Sequence, residues 1–96
     1  MVTRIKTGTQ NGTGAAISIV CGFRPRYVKV VNVASGGLCS IEHIDTMAAA
    51  SGFKGVTAGT KTFISSGGIT LNDFGFTIGA DTDVNVSGEA IHYIAI

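Results

Sequence analysis

The sequence predicts an all-β chain, and three observations carry that prediction. Short apolar runs rich in β-branched and aromatic residues alternate with glycine-bearing turns. The runs recur at roughly ten-residue spacing, which fits about eight short strands in a sandwich or barrel. The one helix candidate, residues 45–51, holds a single turn that Asp45 or Thr46 could cap, too short to stand alone. The expected architecture is a single-domain antiparallel β-sandwich or jelly-roll-like barrel over residues 1–96, with residues 1–14 as a candidate N-terminal arm.

Each element has its own reason. Residues 1–6 alternate weakly and read as a strand or arm, and residues 7–14, made of Thr, Gly, Asn and Gln, read as a flexible loop. Residues 15–21 place Ile17, Ile19 and Cys21 on one face of a strand. Gly22-Phe23-Arg24-Pro25 is a turn, because proline lacks an amide donor and pushes the preceding residue out of helical geometry. Residues 27–33 form the clearest strand, and residues 34–37 turn into a further alternating run over 38–44. Residues 52–59 read as loop, with Phe53 as an anchor. Strands follow at 61–65, 69–71, 74–78 and 90–96. Gly67-Gly68 predicts a hairpin between Ile64 and Ile69, and Asn72-Asp73 and Asp81-Thr82-Asp83 mark two more turns. The chain ends on an apolar run, which needs neighbours on both sides to be satisfied.

Composition narrows the function classes. Ninety-six residues make one domain. The chain is 45% hydrophobic and 14% charged, with mean hydropathy +0.40. Average domains carry about 25% charge, so this surface is poor in charge and predicts an oligomer or a docked subunit. Net charge is +1, and the densest basic group, Arg24, Arg26 and Lys29, is too sparse to track a phosphate backbone. No nucleic acid, membrane or cofactor partner is expected: the N-terminus has no apolar core of a signal peptide, and no run is long enough to span a bilayer. Cys21 and Cys39 fall in strand patterns, where a free thiol behaves as a small buried hydrophobe.

Catalytic and metal signatures are missing at the level of spacing. His43 and His92 have no ligand-spaced Cys, Asp or Glu, and no nucleophile elbow occurs. The glycine run Gly8, Gly12, Gly14 lacks the Lys-Ser/Thr ending of a phosphate loop. Asp81 and Asp83 read as a self-capping turn rather than a calcium loop. Asn11-Gly12-Thr13 and Asn85-Val86-Ser87 match the glycosylation sequon without a secretory context. Most of the seven aromatic rings are expected in the core, with Phe74 and Phe76 on one face. An enzyme reading would need His43 or His92 to meet Glu42 or Asp45 in a pocket.

Three segments together look familiar: Gly22-Phe23-Arg24-Pro25 leading into Tyr27-Val28-Lys29-Val30-Val31-Asn32, then Asn72-Asp73-Phe74-Gly75-Phe76-Thr77-Ile78-Gly79, then Asp83-Val84-Asn85-Val86-Ser87-Gly88 feeding the last aromatic strand. This order resembles small β-rich structural proteins of tailed bacteriophages and covers roughly residues 14–96. A single Tyr93 stands where such proteins are richer in Tyr and Trp. The resemblance implies a non-enzymatic virion protein made in the host cytoplasm. A chain of this length, beginning at Met1, suits a capsid decoration (cement) protein that forms a homotrimer and clamps neighbouring major capsid protein subunits. The alternative is a tail-tip or fibre-associated module that binds host glycans through exposed Phe74, Phe76 or Tyr93. Residues expected at the capsid or oligomer interface are Val2, Arg4, Ile5, Lys6, Arg24, Arg26 and Tyr93, with the polar arm, residues 2–14, reaching onto the shell. No catalytic, cofactor-binding or metal-binding residue is expected.

Overall fold

A computed structural model describes residues 4–34, 39–56 and 59–96. Val2 and most of the turn expected at 34–37 lie outside the described residues. Eight strands are present among the described residues: β1 (Lys6–Asn11), β2 (Ile17–Val20), β3 (Tyr27–Asn32), β4 (Cys39–Ile44), β5 (Ser51–Gly55), β6 (Lys61–Asn72), β7 (Gly75–Ile78) and β8 (Ala90–Ala95). They form one continuous antiparallel sheet in the order β1-β8-β3-β4-β5-β6-β7-β2. The fold is all-β, and its core is made by one sheet curling into a half-barrel rather than by two separately stacked sheets.

Curling works because alternate residues face the concave side. Val28 and Val30 of β3, Ile41 of β4, Ile69 of β6, Phe76 and Ile78 of β7, and Ile91 and Ala95 of β8 are fully buried there. Phe76 meets Tyr93 edge to face across the interior, with ring centroids 5.6 Å apart, a favoured aromatic geometry. The final apolar run is paired on both sides, β8 bonding β1 through Lys6↔Ala95 to Asn11↔Ala90 and β3 through Val28↔Ala95 to Asn32↔Ile91.

Several local expectations change. Residues 7–14 were expected as a loop and residues 1–14 as an arm, but Lys6–Asn11 is strand β1, built into the sheet. The glycine in it has a structural reason: a Cβ at Gly8 would run into the Tyr93 ring. Removing residues 2–10 would therefore strip β8 of a partner instead of freeing an arm. Strand β5, Ser51–Gly55, takes the end of the helix candidate and the start of the loop expected over 52–59, and Gly52 lets Ile41 and the Glu42 carbonyl come close. No hairpin forms at Gly67-Gly68. Both residues belong to the bent strand β6, whose pairing with β5 shifts from Gly52↔Ile64 to Ser51↔Ile69. The helix candidate is replaced by two turns, with Met47 N–H donating to Ile44 O and Ser51 N–H to Ala48 O. Phe74 and Phe76 do not share a face: Phe74 sits on the β6–β7 turn and is exposed, while Phe76 is buried. Phe53 and Phe63 are also exposed.

Residues 79–89 cross one end of the half-barrel and are held by polar side chains. Buried Asn85 accepts from Thr13 N–H (2.9 Å) and Gly14 N–H (3.2 Å) and donates to Ala15 O (2.7 Å) and Gly79 O (2.9 Å). Asn32, also buried, donates to Val84 O and to Glu89 Oε1 at 2.9 Å. Asp81 caps its own turn as expected, accepting from Asp83 N–H and Val84 N–H. Lys54 points inward from β5 and reaches Asp81 (2.9 Å) and Asp83 (2.6 Å).

Two stability predictions follow from these contacts. Asn85→Ala removes four hydrogen bonds to backbone groups that water can partly reach, so the denaturant midpoint is expected to fall by an amount worth about 2 kcal/mol; a loss within experimental scatter would show that the segment is not held there. Ala50 has φ 64°, a left-handed conformation that a Cβ disfavours, fixed by bonds from its N–H to Ile69 O and from Gly68 N–H to its carbonyl. Ala50→Gly is expected to stabilise the fold by about 1 kcal/mol, read from the same unfolding curves.

Candidate interface

The open side of the half-barrel lies between β1 and β2, the two ends of the strand order. Each has a paired neighbour on one side only, β8 for β1 and β7 for β2. Burial pushes the Cys21 thiol up, and the Lys6 ammonium pulls it partway back. Cys21 and Cys39 are free thiols.

Three of the residues expected at an interface converge at this mouth. Arg4, Arg24 and Arg26 line a cleft of about 650 Å³ together with Phe23 and Ile96. The chain enters β1 from Arg4, while the turn after β2 carries Phe23, Arg24 and Arg26 into β3. Gly22 makes that turn, its φ of 87° suiting a residue without Cβ, and Cys21 N–H and Gly22 N–H both donate to Phe74 O. Arg26 N–H donates to Ile96 O at 2.7 Å, which fixes the base of the cleft. Phe23 is buried, whereas the three arginines are exposed. Ile5 is exposed beside them, and Lys6 is the first residue of β1. Tyr93, also expected at an interface, is half-buried, its ring lying over Gly8 and edge to face with Phe76.

The convex face carries a second feature. The register sets Ile94, Lys29, Glu42, Phe53 and Phe63 side by side across β8, β3, β4, β5 and β6. Phe53 and Phe63 are both exposed, and the Lys61 ammonium lies 5.7 Å from the Phe53 ring centre, a cation–π distance. Tyr27 donates its hydroxyl to Glu42 Oε2 at 2.7 Å. Burial, together with that bond and the negative charge of Glu42, pushes the Tyr27 phenol up to about 12.

The histidines and carboxylates do not converge. His43 is buried on the concave side, its Nδ1–H donating to Ser51 O at 2.9 Å, while Glu42 faces the opposite side of the same strand. His92 is exposed on the convex face beside Lys29 and Val31. Among the described residues no three His, Cys, Asp or Glu side chains form a metal-ligand set, and no helix is long and apolar enough to cross a membrane. No protein-family model matches the chain, and neither a curated protein nor a solved structure does.

The Tyr27–Glu42 contact gives a pH prediction. A phenol held neutral above its ordinary value of 10.0 contributes stability that is complete below that pH and is lost as pH rises through about 12. Ultraviolet difference titration should show Tyr27 ionising near about 12 in wild type and at a lower pH, still above 10.0, in Glu42→Ala, since burial is the larger cause and remains. Identical titration curves for the two proteins would remove the contact as the cause.

Proposed function

We propose that the chain is a non-enzymatic structural docking protein, and specifically a decoration (cement) protein of a tailed-phage capsid. It would act in the virion as a homotrimer that clamps neighbouring major capsid protein subunits. The observation that carries the reading is the unfinished sheet: among the described residues its eight strands end in two edges, β1 and β2, each paired on one side only. An unpaired edge offers a row of free backbone donors and acceptors, which natural proteins cover, charge or use for pairing. Neither edge is protected by proline, and β2 presents Val20 74% exposed. Exposed Phe53, Phe63 and Phe74 add apolar area on a surface with few charges.

The proposed mechanism is β-augmentation combined with apolar burial across subunit seams. Each contact supplies modest free energy, and many copies on one shell multiply it through avidity. The glycan-binding alternative has less support, since Phe76 and Tyr93, two of the three rings it relied on, point into the half-barrel.

The test is a mass measurement and a particle-binding assay on wild type and on two edge variants, Thr9→Glu in β1 and Val20→Glu in β2. Wild type is expected to sediment as a multiple of 9.8 kDa and to co-sediment with capsids that lack it. The glutamate variants, at exposed positions, should fold normally yet weaken association by about tenfold or more. A wild-type monomer that ignores capsids, or assembly indifferent to both glutamates, would reject the reading.

A further inference from the structure

The arginine-lined mouth has a charge problem that the chain does not solve internally. Arg24 reaches Asp73 at 3.4 Å, but both side chains are largely exposed, so the pair is weak. Among the described residues no carboxylate comes within 4.0 Å of Arg4 or Arg26. Asp45 stands beside Arg26, its N–H donating to Arg26 O at 2.9 Å, but its exposed carboxylate makes no ion pair there, and Asp81, Asp83 and Glu89 are held elsewhere by Lys54 and Asn32. A chain of net charge +1 thus keeps its three convergent guanidinium groups apart from its most tightly held acids.

The shape around those groups says what they fit. A guanidinium presents a planar fork of donors that matches a carboxylate bidentately. Phe23 gives the cleft an apolar floor and Ile96 an apolar wall. The open edges of β1 and β2 both run out of this cleft, and they offer main-chain hydrogen bonds to an extended chain. A free anion would use the forks but not the edges. A nucleic acid would need a longer basic track and exposed rings for stacking, and the ring here is buried.

We propose that this mouth binds an acidic, extended polypeptide segment of a partner protein. Carboxylates of the segment pair with Arg4, Arg24 and Arg26, an apolar residue lies against the exposed Ile96, and its backbone continues along an open edge. The proposal rests on the docking reading only in taking the partner to be a protein.

The test titrates the full chain, followed by backbone amide shifts, with a peptide of alternating Glu and Val. Controls are the same peptide with Gln for Glu, inorganic phosphate and a single-stranded oligonucleotide. The Glu peptide is expected to bind and to shift Phe23, Arg24, Arg26 and the β1 or β2 amides. Affinity should fall about tenfold or more in roughly 0.5 M salt and by a similar factor in the double variant Arg4→Gln/Arg26→Gln, with its unfolding midpoint unchanged. Equal binding of the Gln peptide, full binding by the double variant, or preferential capture of phosphate or oligonucleotide would each overturn the proposal. Peptide binding by a monomer that ignores capsids would reject the shell reading and leave this site standing. Capsid binding without peptide binding would reject this site alone.

Discussion

The double pairing of β8 is the contact on which the rest of this fold depends. β8 holds β1 on one side and β3 on the other, and without it the first strand would have no place in the sheet. It also supplies Ile91, Tyr93 and Ala95 to the concave side, so that the same six residues join the sheet and fill its core. A register slip of one residue in such a strand would turn those side chains outward and bring His92 and Ile94 in. The alternation of Ile91, Tyr93 and Ala95 against His92 and Ile94 therefore fixes the handedness of burial for β1 and β3 together.

A sheet that curls but does not close must be capped, and the cap here is polar. Residues 79–89 contribute one fully buried apolar side chain, Val84, and otherwise rely on Asn85, Asn32 and Lys54. Bonds of this kind contribute little net free energy each, but a broken one leaves a buried group without a partner. That asymmetry makes the cap specific rather than merely sticky. It ties residues 12–15 to the segment ahead of β8, and so fixes one end of the seam between β1 and β2 while the arginine mouth lies at the other.

Much of this was legible in the sequence, and the failures share a cause. β2, β3, β4, β7 and β8 stand out as alternating apolar runs bounded by turn residues, and all five fall within a few residues of where they were expected. β1 and β5 were hidden because glycine was read as punctuation. In Lys6–Asn11 and Ser51–Gly55 the glycines instead mark close approach, Gly8 beneath Tyr93 and Gly52 beside Ile41, and nothing local distinguishes the two uses. Gly67-Gly68 misled in the same way, since a bulge and a hairpin ask for the same residue. At the mouth, Arg24 and Arg26 were visible as the densest basic group, yet their meeting with Arg4 depends on the pairing of β1 with β8 and could not be read from spacing.

The sparse charge of the surface acquires a reason from where the charge sits. Of the seven basic residues, Lys54 is consumed by the cap and Lys29 and Lys61 stand on the convex face, which leaves Arg4, Lys6, Arg24 and Arg26 around the two open strands. A chain selected only for solubility would scatter both signs over its surface. This one concentrates cations where its backbone is unpaired. Positive charge beside an open edge favours an acidic strand over a neutral or basic one. The same four side chains can thus bias which strand completes the sheet, while the backbone of the edge supplies the pairing itself.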